Sequence, residues 1–444
     1  MRSVQYVSIG LALVGAALAA CSSGGEAESR DRCTPAAYVF CRCEDRSEGT
    51  KQCKEDGRSF EACKCDGSGK DPGEPGSSQG PSGQLEEVDA GPPPSGPMID
   101  LACADKLGVI AGADDDSYTY VMTYKGNGAF NAAKAHPGMR SSATIVPVGG
   151  NLLAAYSGTF SSILWTKMSA STWSAPFSVG SATATSAPAM AAWNGGALLF
   201  YLGQDDRYHM GTYGAGGWDD ATALGEPAAG TASMPGKSAP AAAAISTSVV
   251  VSFAGNDGTL ARETYSSSTW STLGKFNNAS AFPSQPSMVA LDAGGASDLL
   301  MVYTGSDLVL HGVTRTSTGH VWGAPVVVDT AATPASTASE TTLVAMPGGR
   351  AMLLYRATNN RGYYSVWDPQ TGFAPPKEML AGKNPELASA PAATRGHCGS
   401  DVTVAYAKVN GGVEILRYGG TAWSGPYAVG GITKATFVGV GELP

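Results

Sequence analysis

Between residues 100 and 444 the chain breaks into short apolar runs separated by glycine, with almost no 3.6-residue periodicity of the kind an amphipathic helix requires. The runs are not independent. Four end in an aromatic residue followed by x-Gly: Ala155-Tyr156-Ser157-Gly158, Phe200-Tyr201-Leu202-Gly203, Ser252-Phe253-Ala254-Gly255 and Val302-Tyr303-Thr304-Gly305. Tyr355 and Tyr406 continue the series, and the six aromatics are spaced by 45, 52, 50, 52 and 51 residues. A second mark runs in phase at Trp173, Trp218, Trp270, Trp322, Phe373 and Trp423. A third, Ser-x-Pro, opens the unit at Ser186, Ser238, Ser284 and Ser389. Three marks with one period identify a repeat, and each unit reads as four strands; in the fifth these are 288–292, 299–303, 308–314 and 322–328.

Four short strands per unit of this size predict an all-β, seven-bladed propeller over residues 100–444. The count comes from the ends. Residues 107–113 and 118–124 read as second and third strands, with Phe130 where the tryptophan belongs and no first strand before them. After Trp423 the chain adds a fourth strand at 427–429 and a spare one at 435–440. That spare strand is expected to complete the first blade and close the ring, which removes both free sheet edges. Cys103 and Cys398 fall at near-equivalent places in blades one and seven, so closure makes them a candidate disulfide, provided the backbone brings them within reach.

Residues 1–20 have a basic start and an apolar run too short to span a bilayer, ending Leu18-Ala19-Ala20-Cys21. This resembles the bacterial lipobox, which implies cleavage before Cys21 and lipid on its thiol. The expected organisation is then a lipidated tether (21–32), a cysteine-rich segment (33–65), a Gly/Pro/Ser-rich linker (66–99) and the propeller. Cys33, Cys41, Cys43, Cys53, Cys63 and Cys65 lie in a short, charged stretch that cannot build a core, so three disulfides are expected to hold it, in any of fifteen pairings. Zinc is the rival reading, since Cys-x-Cys occurs twice, but no histidine is nearby. The expected location is the cell envelope, at an outer membrane or cell surface.

The repeat, an apolar strand ending in Tyr-x-Gly and a strand leading to Trp-Ser-x-Pro, resembles those of propeller lectins of the fucose-binding fungal type and the seven-bladed bacterial type. It also looks like the propeller of sialidases. The lectin resemblance implies a non-catalytic module whose sugar sits between blades on an arginine, a glutamate and aromatic residues. Only Leu260-Ala261-Arg262-Glu263-Thr264-Tyr265 has that composition, with Glu414 and Arg417 a weaker second; arginine–glutamate pairs do not recur in every blade. Of the sialidase Asp-box, Thr172 and Thr269 keep the threonine and Gly319 the glycine, and no acid–nucleophile pair stands out for a glycosidase.

Chemistry enters last. The five histidines show no metal-ligand spacing, and no cofactor or metal is expected. A net charge of −9 argues against nucleic acid as partner. The partner expected is carbohydrate, with a surface protein as the alternative and a degenerate sialidase-like glycosidase as a third reading. Aromatics outside the repeat are free to stack on a sugar, and arginines to bond its hydroxyls. Besides Arg262 and Glu263 the candidates are Arg207, Tyr208, Trp193, Trp367 and Tyr363, with Trp165 and Tyr364 beside them. Arg262 and Glu263 are adjacent on a predicted strand, so their side chains should face opposite ways, and Arg262, with its planar fork, is the expected ligand residue. For the anchor, Cys21→Ser should abolish palmitate labelling and leave the precursor uncleaved; undiminished labelling would refute the lipobox reading.

Overall fold

The computed structural model describes residues 99–444 except 114–115, 220–221, 224–237, 247, 256–257, 272, 281–284, 293–294, 329–336, 381–385 and 410. Before these it describes the strands 38–42, 48–52, 64–65 and 86–88 and residues 54, 59, 61 and 85. The chain divides into two compact units, residues 1–76 and 77–444. In the first, Tyr38–Arg42, Glu48–Gln52 and Lys64–Cys65 form a three-stranded antiparallel sheet. The lipobox, the tether, the pairing of the six clustered cysteines and most of the 66–99 linker lie outside the described residues.

The second unit is a ring of seven antiparallel blades. Blade one combines Phe437–Glu442 with Leu107–Gly112, Thr119–Gly126 and Ala129–Ala135. Blades two to seven occupy 144–183, 189–223, 241–280, 287–327, 337–378 and 392–429. In each, strand follows strand outward from the axis, because short glycine-containing turns can join only neighbours. The apolar core divides into clusters, one at each interface between blades. All six repeat aromatics, Tyr156, Tyr201, Phe253, Tyr303, Tyr355 and Tyr406, are buried at or next to the ends of second strands. The inner strands line a central cavity of about 380 Å³.

Two expectations shift in detail. The fourth strand of blade five is only Val326–Val327, and Trp322 joins the sheet through a single bridge to Arg315. Within the linker, Glu86–Val88 forms a strand on the outer edge of blade one, pairing with Ala132, Ala133 and Lys134. Edge pairing needs backbone groups rather than a hydrophobic side-chain pattern, so composition gave no sign of it; Glu86 adds an ion pair to Lys134 at 3.3 Å.

Ring closure is the most heavily fastened part. Phe437–Glu442 pairs along its length with Leu107–Gly112, from Phe437 opposite Gly112 to Glu442 opposite Leu107. Cys103 and Cys398 are joined, with Cα atoms 5.3 Å apart. Both lie in turns rather than mid-strand, where the backbone has room to bring them together. Glu442 is buried and fully bonded: it accepts from His397 N at 2.6 Å, Cys398 N at 2.7 Å and Thr403 Oγ1 at 2.9 Å. Arg417, also buried, lies 4.0 Å away and donates to the Cys398 carbonyl at 2.7 Å. A buried carboxylate is tolerated only with such partners, so the last strand carries a polar lock into blade seven. Deleting residues 431–444 should therefore lower the melting temperature sharply, since burial of Val438 and Val440 alone contributes roughly 1.5–3 kcal/mol each. An unchanged melting temperature would refute the role of this strand in closure.

Candidate functional site

Each third strand of the ring carries the same wedge. A residue near its end pairs with the outer aromatic of its own blade: Met168 with Trp173, Tyr213 with Trp218, Tyr265 with Trp270, Arg315 with Trp322, Trp367 with Phe373, Tyr418 with Trp423 and Tyr124 with Phe130. That pair packs back against the preceding blade. Trp173 makes the direction plain, because its indole N–H donates to the Met122 carbonyl of blade one at 3.0 Å.

Three residues before the paired position, the side chain points the other way, into the wedge of the next blade. Trp165 meets Tyr213 there at 5.5 Å, and Tyr364 meets Trp423 at 5.2 Å. In blade five the position is Gly312, and the Phe373 ring so fills the space that a Cβ would come within 2.3 Å of it. In blade four the position is Arg262.

Arg262 thus lies in the crevice between blades four and five. Its guanidinium carbon is 5.1 Å from the centre of the Phe276 ring and 5.7 Å from that of Trp322, which themselves meet edge-on at 5.0 Å. Gly274 makes room: a Cβ there would stand 2.6 Å from Nη1. Among the described residues, Arg262 Nε is buried with no hydrogen-bond partner. Burial, and then the nearby Arg315, hold the guanidinium below the usual arginine value, though it stays charged. Arg315 is itself neutralised, forking onto Asp298 at 2.9 and 2.7 Å, with His320 Nδ1 3.3 Å from the same carboxylate. The interface therefore offers, among the described residues, a cation without a carboxylate partner packed against two touching aromatic rings, an arrangement that can donate to ligand oxygens while the rings meet an apolar surface.

Glu263 is not part of this crevice. Alternation turns it back toward blade three, the side on which Tyr265 meets Trp193 edge-on at 5.4 Å. Glu263 is buried, its Oε2 has no partner, and burial raises its carboxyl to about 7. Blades two and six put a hydroxyl at this position, Thr166 and Ser365, each donating to a backbone carbonyl at 2.6 Å. A carboxyl gains a donor only when protonated, in keeping with the raised value. Trp193, in the same interface, also has a buried N–H without a partner.

The other candidates are committed elsewhere. Tyr208 is buried and donates to the Ser238 and Ala254 carbonyls at 2.8 and 3.2 Å. Trp367 and Tyr363 belong to the core between blades five and six, Tyr363 accepting from Asn359 Nδ2 at 3.1 Å. Arg207 is exposed at the tip of a turn. The weaker pair also separates: Arg417 is part of the closure lock, and Glu414 takes Lys408 at 2.6 Å and the Tyr406 hydroxyl. The structure adds two clasps that the scattered histidines concealed. His209 and His311 lie 3.0 Å from Asp205 and Asp307 and stack on Tyr201 and Tyr303, in blades three and five. The spacing Gly-x-Asp-x-x-x-His, present at 203–209 and 305–311, was the available signal.

No protein-family model and no curated protein matches the chain. Among solved structures it is similar to a lectin from Burkholderia pseudomallei, with a TM-score of 0.54 and 13% identity over 74% of this chain and 99% of that one. It is also similar to a variant of the Aleuria aurantia lectin in complex with Fucalpha1-6GlcNAc, with a TM-score of 0.50 and 13% identity over 66% of this chain and 97% of that one. At such identity the likeness is one of fold.

Glu263 gives a pH test. Its carboxyl is raised to about 7 in the folded ring against 4.5 for the free group, so the folded state holds a proton that the unfolded chain releases. Its contribution is complete below about pH 4.5 and is lost as pH climbs through about 7. Glu263→Gln should flatten the fall in melting temperature between pH 5 and 8 and leave a more stable protein at pH 8. Parallel melting curves for the two proteins would rule the effect out.

Proposed function

We propose that the ring is a non-catalytic carbohydrate-binding module, and that lipid on Cys21 holds it at the cell envelope. The observation that carries this reading is Arg262, packed against Phe276 and Trp322 at a blade interface with no partner for its Nε among the described residues. A sugar presents an apolar C–H face and a rim of hydroxyls, and this crevice presents aromatic faces and a guanidinium. The fold supports the reading further, since the two similar rings described above are both lectins by name.

A protein-interaction scaffold is the second reading, and one feature favours it. The outer edge of blade five is apolar and open: Val321, Val326 and Val327 are all exposed, and an exposed apolar edge strand invites pairing with another chain.

A glycan array probed with the lipid-free mature chain separates the two. Sugar binding is expected, and Arg262→Ala should weaken it by about 1–3 kcal/mol with the melting temperature unchanged, because ligand oxygens lose their donor. Full affinity in that variant, for a sugar that binds the parent, would move the site elsewhere on the ring.

A further inference from the structure

The geometry points to a carboxylated sugar as the ligand of the crevice between blades four and five, with the carboxylate received by Arg262. This inference rests on reading that crevice as a carbohydrate site and says which class of carbohydrate it selects.

The argument begins with charge pairing. Arg315, Arg361, Arg395 and Arg417 each have a carboxylate oxygen within 4.0 Å. Among the described residues Arg262 has none, in a chain whose net charge is −9; Arg140, Arg207 and Arg356 also lack one, but Arg207 is exposed and Arg356 gives its Nη1 to the Leu387 and Ala388 carbonyls. The nearest candidates are both withdrawn. Glu263, next along the strand, faces the opposite crevice, and Asp298 is already taken by the fork of Arg315 and by His320. A site built for a neutral sugar gains from a carboxylate beside its arginine, which accepts from hydroxyls while the arginine donates to them. Here no described carboxylate stands beside the arginine, and the nearby Arg315 is already paired with Asp298.

Placement makes the isolation costly and therefore informative. The guanidinium is partly desolvated by Phe276, Trp322 and the strand at Gly274, and water does not reach its Nε. A neutral hydroxyl would give it an acceptor but no countercharge. A carboxylate gives two acceptors in the plane of the fork and neutralises the charge, and charge-assisted bonds of this kind are about twice as strong as neutral ones. Packing against the Phe276 and Trp322 rings also restrains the fork, so less rotamer freedom remains to be lost on binding.

The test uses the lipid-free mature chain and matched pairs of simple sugars: methyl glucuronide against methyl glucoside, methyl galacturonide against methyl galactoside, and N-acetylneuraminic acid. Each is titrated at low and high salt with the parent protein and with Arg262→Gln, Arg262→Lys and Gly274→Ala, all checked for an unchanged melting temperature. At least one acidic sugar should bind about tenfold or more tighter than its neutral counterpart, a difference of about 1.4 kcal/mol. Salt should reduce that preference. Arg262→Gln should abolish it, Arg262→Lys should keep part of it, and Gly274→Ala, which displaces the guanidinium, should resemble the glutamine variant. If acidic and neutral sugars bind equally and Arg262→Gln weakens both alike, the carboxylate proposal is overturned while the carbohydrate reading survives. If sugars bind the parent but every affinity is indifferent to Arg262, the carboxylate proposal falls and the site lies elsewhere on the ring; if no sugar binds the parent at all, the carbohydrate reading fails with it.

Discussion

Blades stacked around an axis diverge as they leave it, so the gap between neighbouring sheets widens with radius. Interiors tolerate no such gap, because they pack as densely as organic crystals, and side-chain volume must therefore grow outward. Two of the inner strands show this most plainly, reading Ala-Met-Ala-Ala at 189–192 and Ala-Ala-Ala-Ala at 241–244. Second strands carry leucine, valine and methionine, and the outer rim carries tryptophan or phenylalanine. The aromatic marks of the repeat are thus wedges, and each interface closes only when its wedge is filled. This also explains where a binding site can arise without dismantling the ring. At the rim the wedge is deep, partly solvent-facing and built from few residues, so one interface can exchange an apolar filler for an arginine and remain packed.

That logic was only half visible in the sequence. The period, the blade count and the role of the last strand were legible because they depend on spacing and on a missing element, which a linear reading detects. The opposite facing of Arg262 and Glu263 was legible too, since strand alternation needs no tertiary information. What stayed hidden was the shared position of Trp165, Arg262 and Tyr364. From blade two to blade six it is Trp165, Met210, Arg262, Gly312 and Tyr364, so no repeated letter marks it. Tyr208, Trp367 and Tyr363 stood out for a related reason. They appeared surplus to the repeat, yet Trp367 holds the paired position of the wedge in blade six, and Tyr208 and Tyr363 are buried in the cores of their own interfaces. Glu86–Val88 was hidden by composition, because an edge strand can form on backbone groups alone.

Adjacent residues on one strand of blade four set up opposite electrostatic situations. Arg262 keeps its charge at a rim where aromatic faces stabilise it, whereas Glu263 is pressed toward neutrality in an apolar interface. Separating the two by a single sheet thickness stops them from cancelling each other. Had both pointed into one crevice they would have formed an internal ion pair, and the arginine would have had little left to offer a visitor. The strand's own geometry thus keeps one charge available by burying the other.

The final strand has a consequence for the order of events during synthesis. Blade one is begun by Leu107 and finished by Glu442, so more than three hundred residues must emerge before its sheet has an inner edge partner. Until then every nascent form exposes an unpaired strand at one end of an incomplete arc, together with the apolar surface that faces blade seven. Such long-range pairing is slow to form and leaves intermediates prone to wrong association. The stable ring cannot lock until the last strand, Phe437–Glu442, has been made and has reached Leu107–Gly112. The same topology that closes the finished ring keeps the unfinished chain open until its last strand is made.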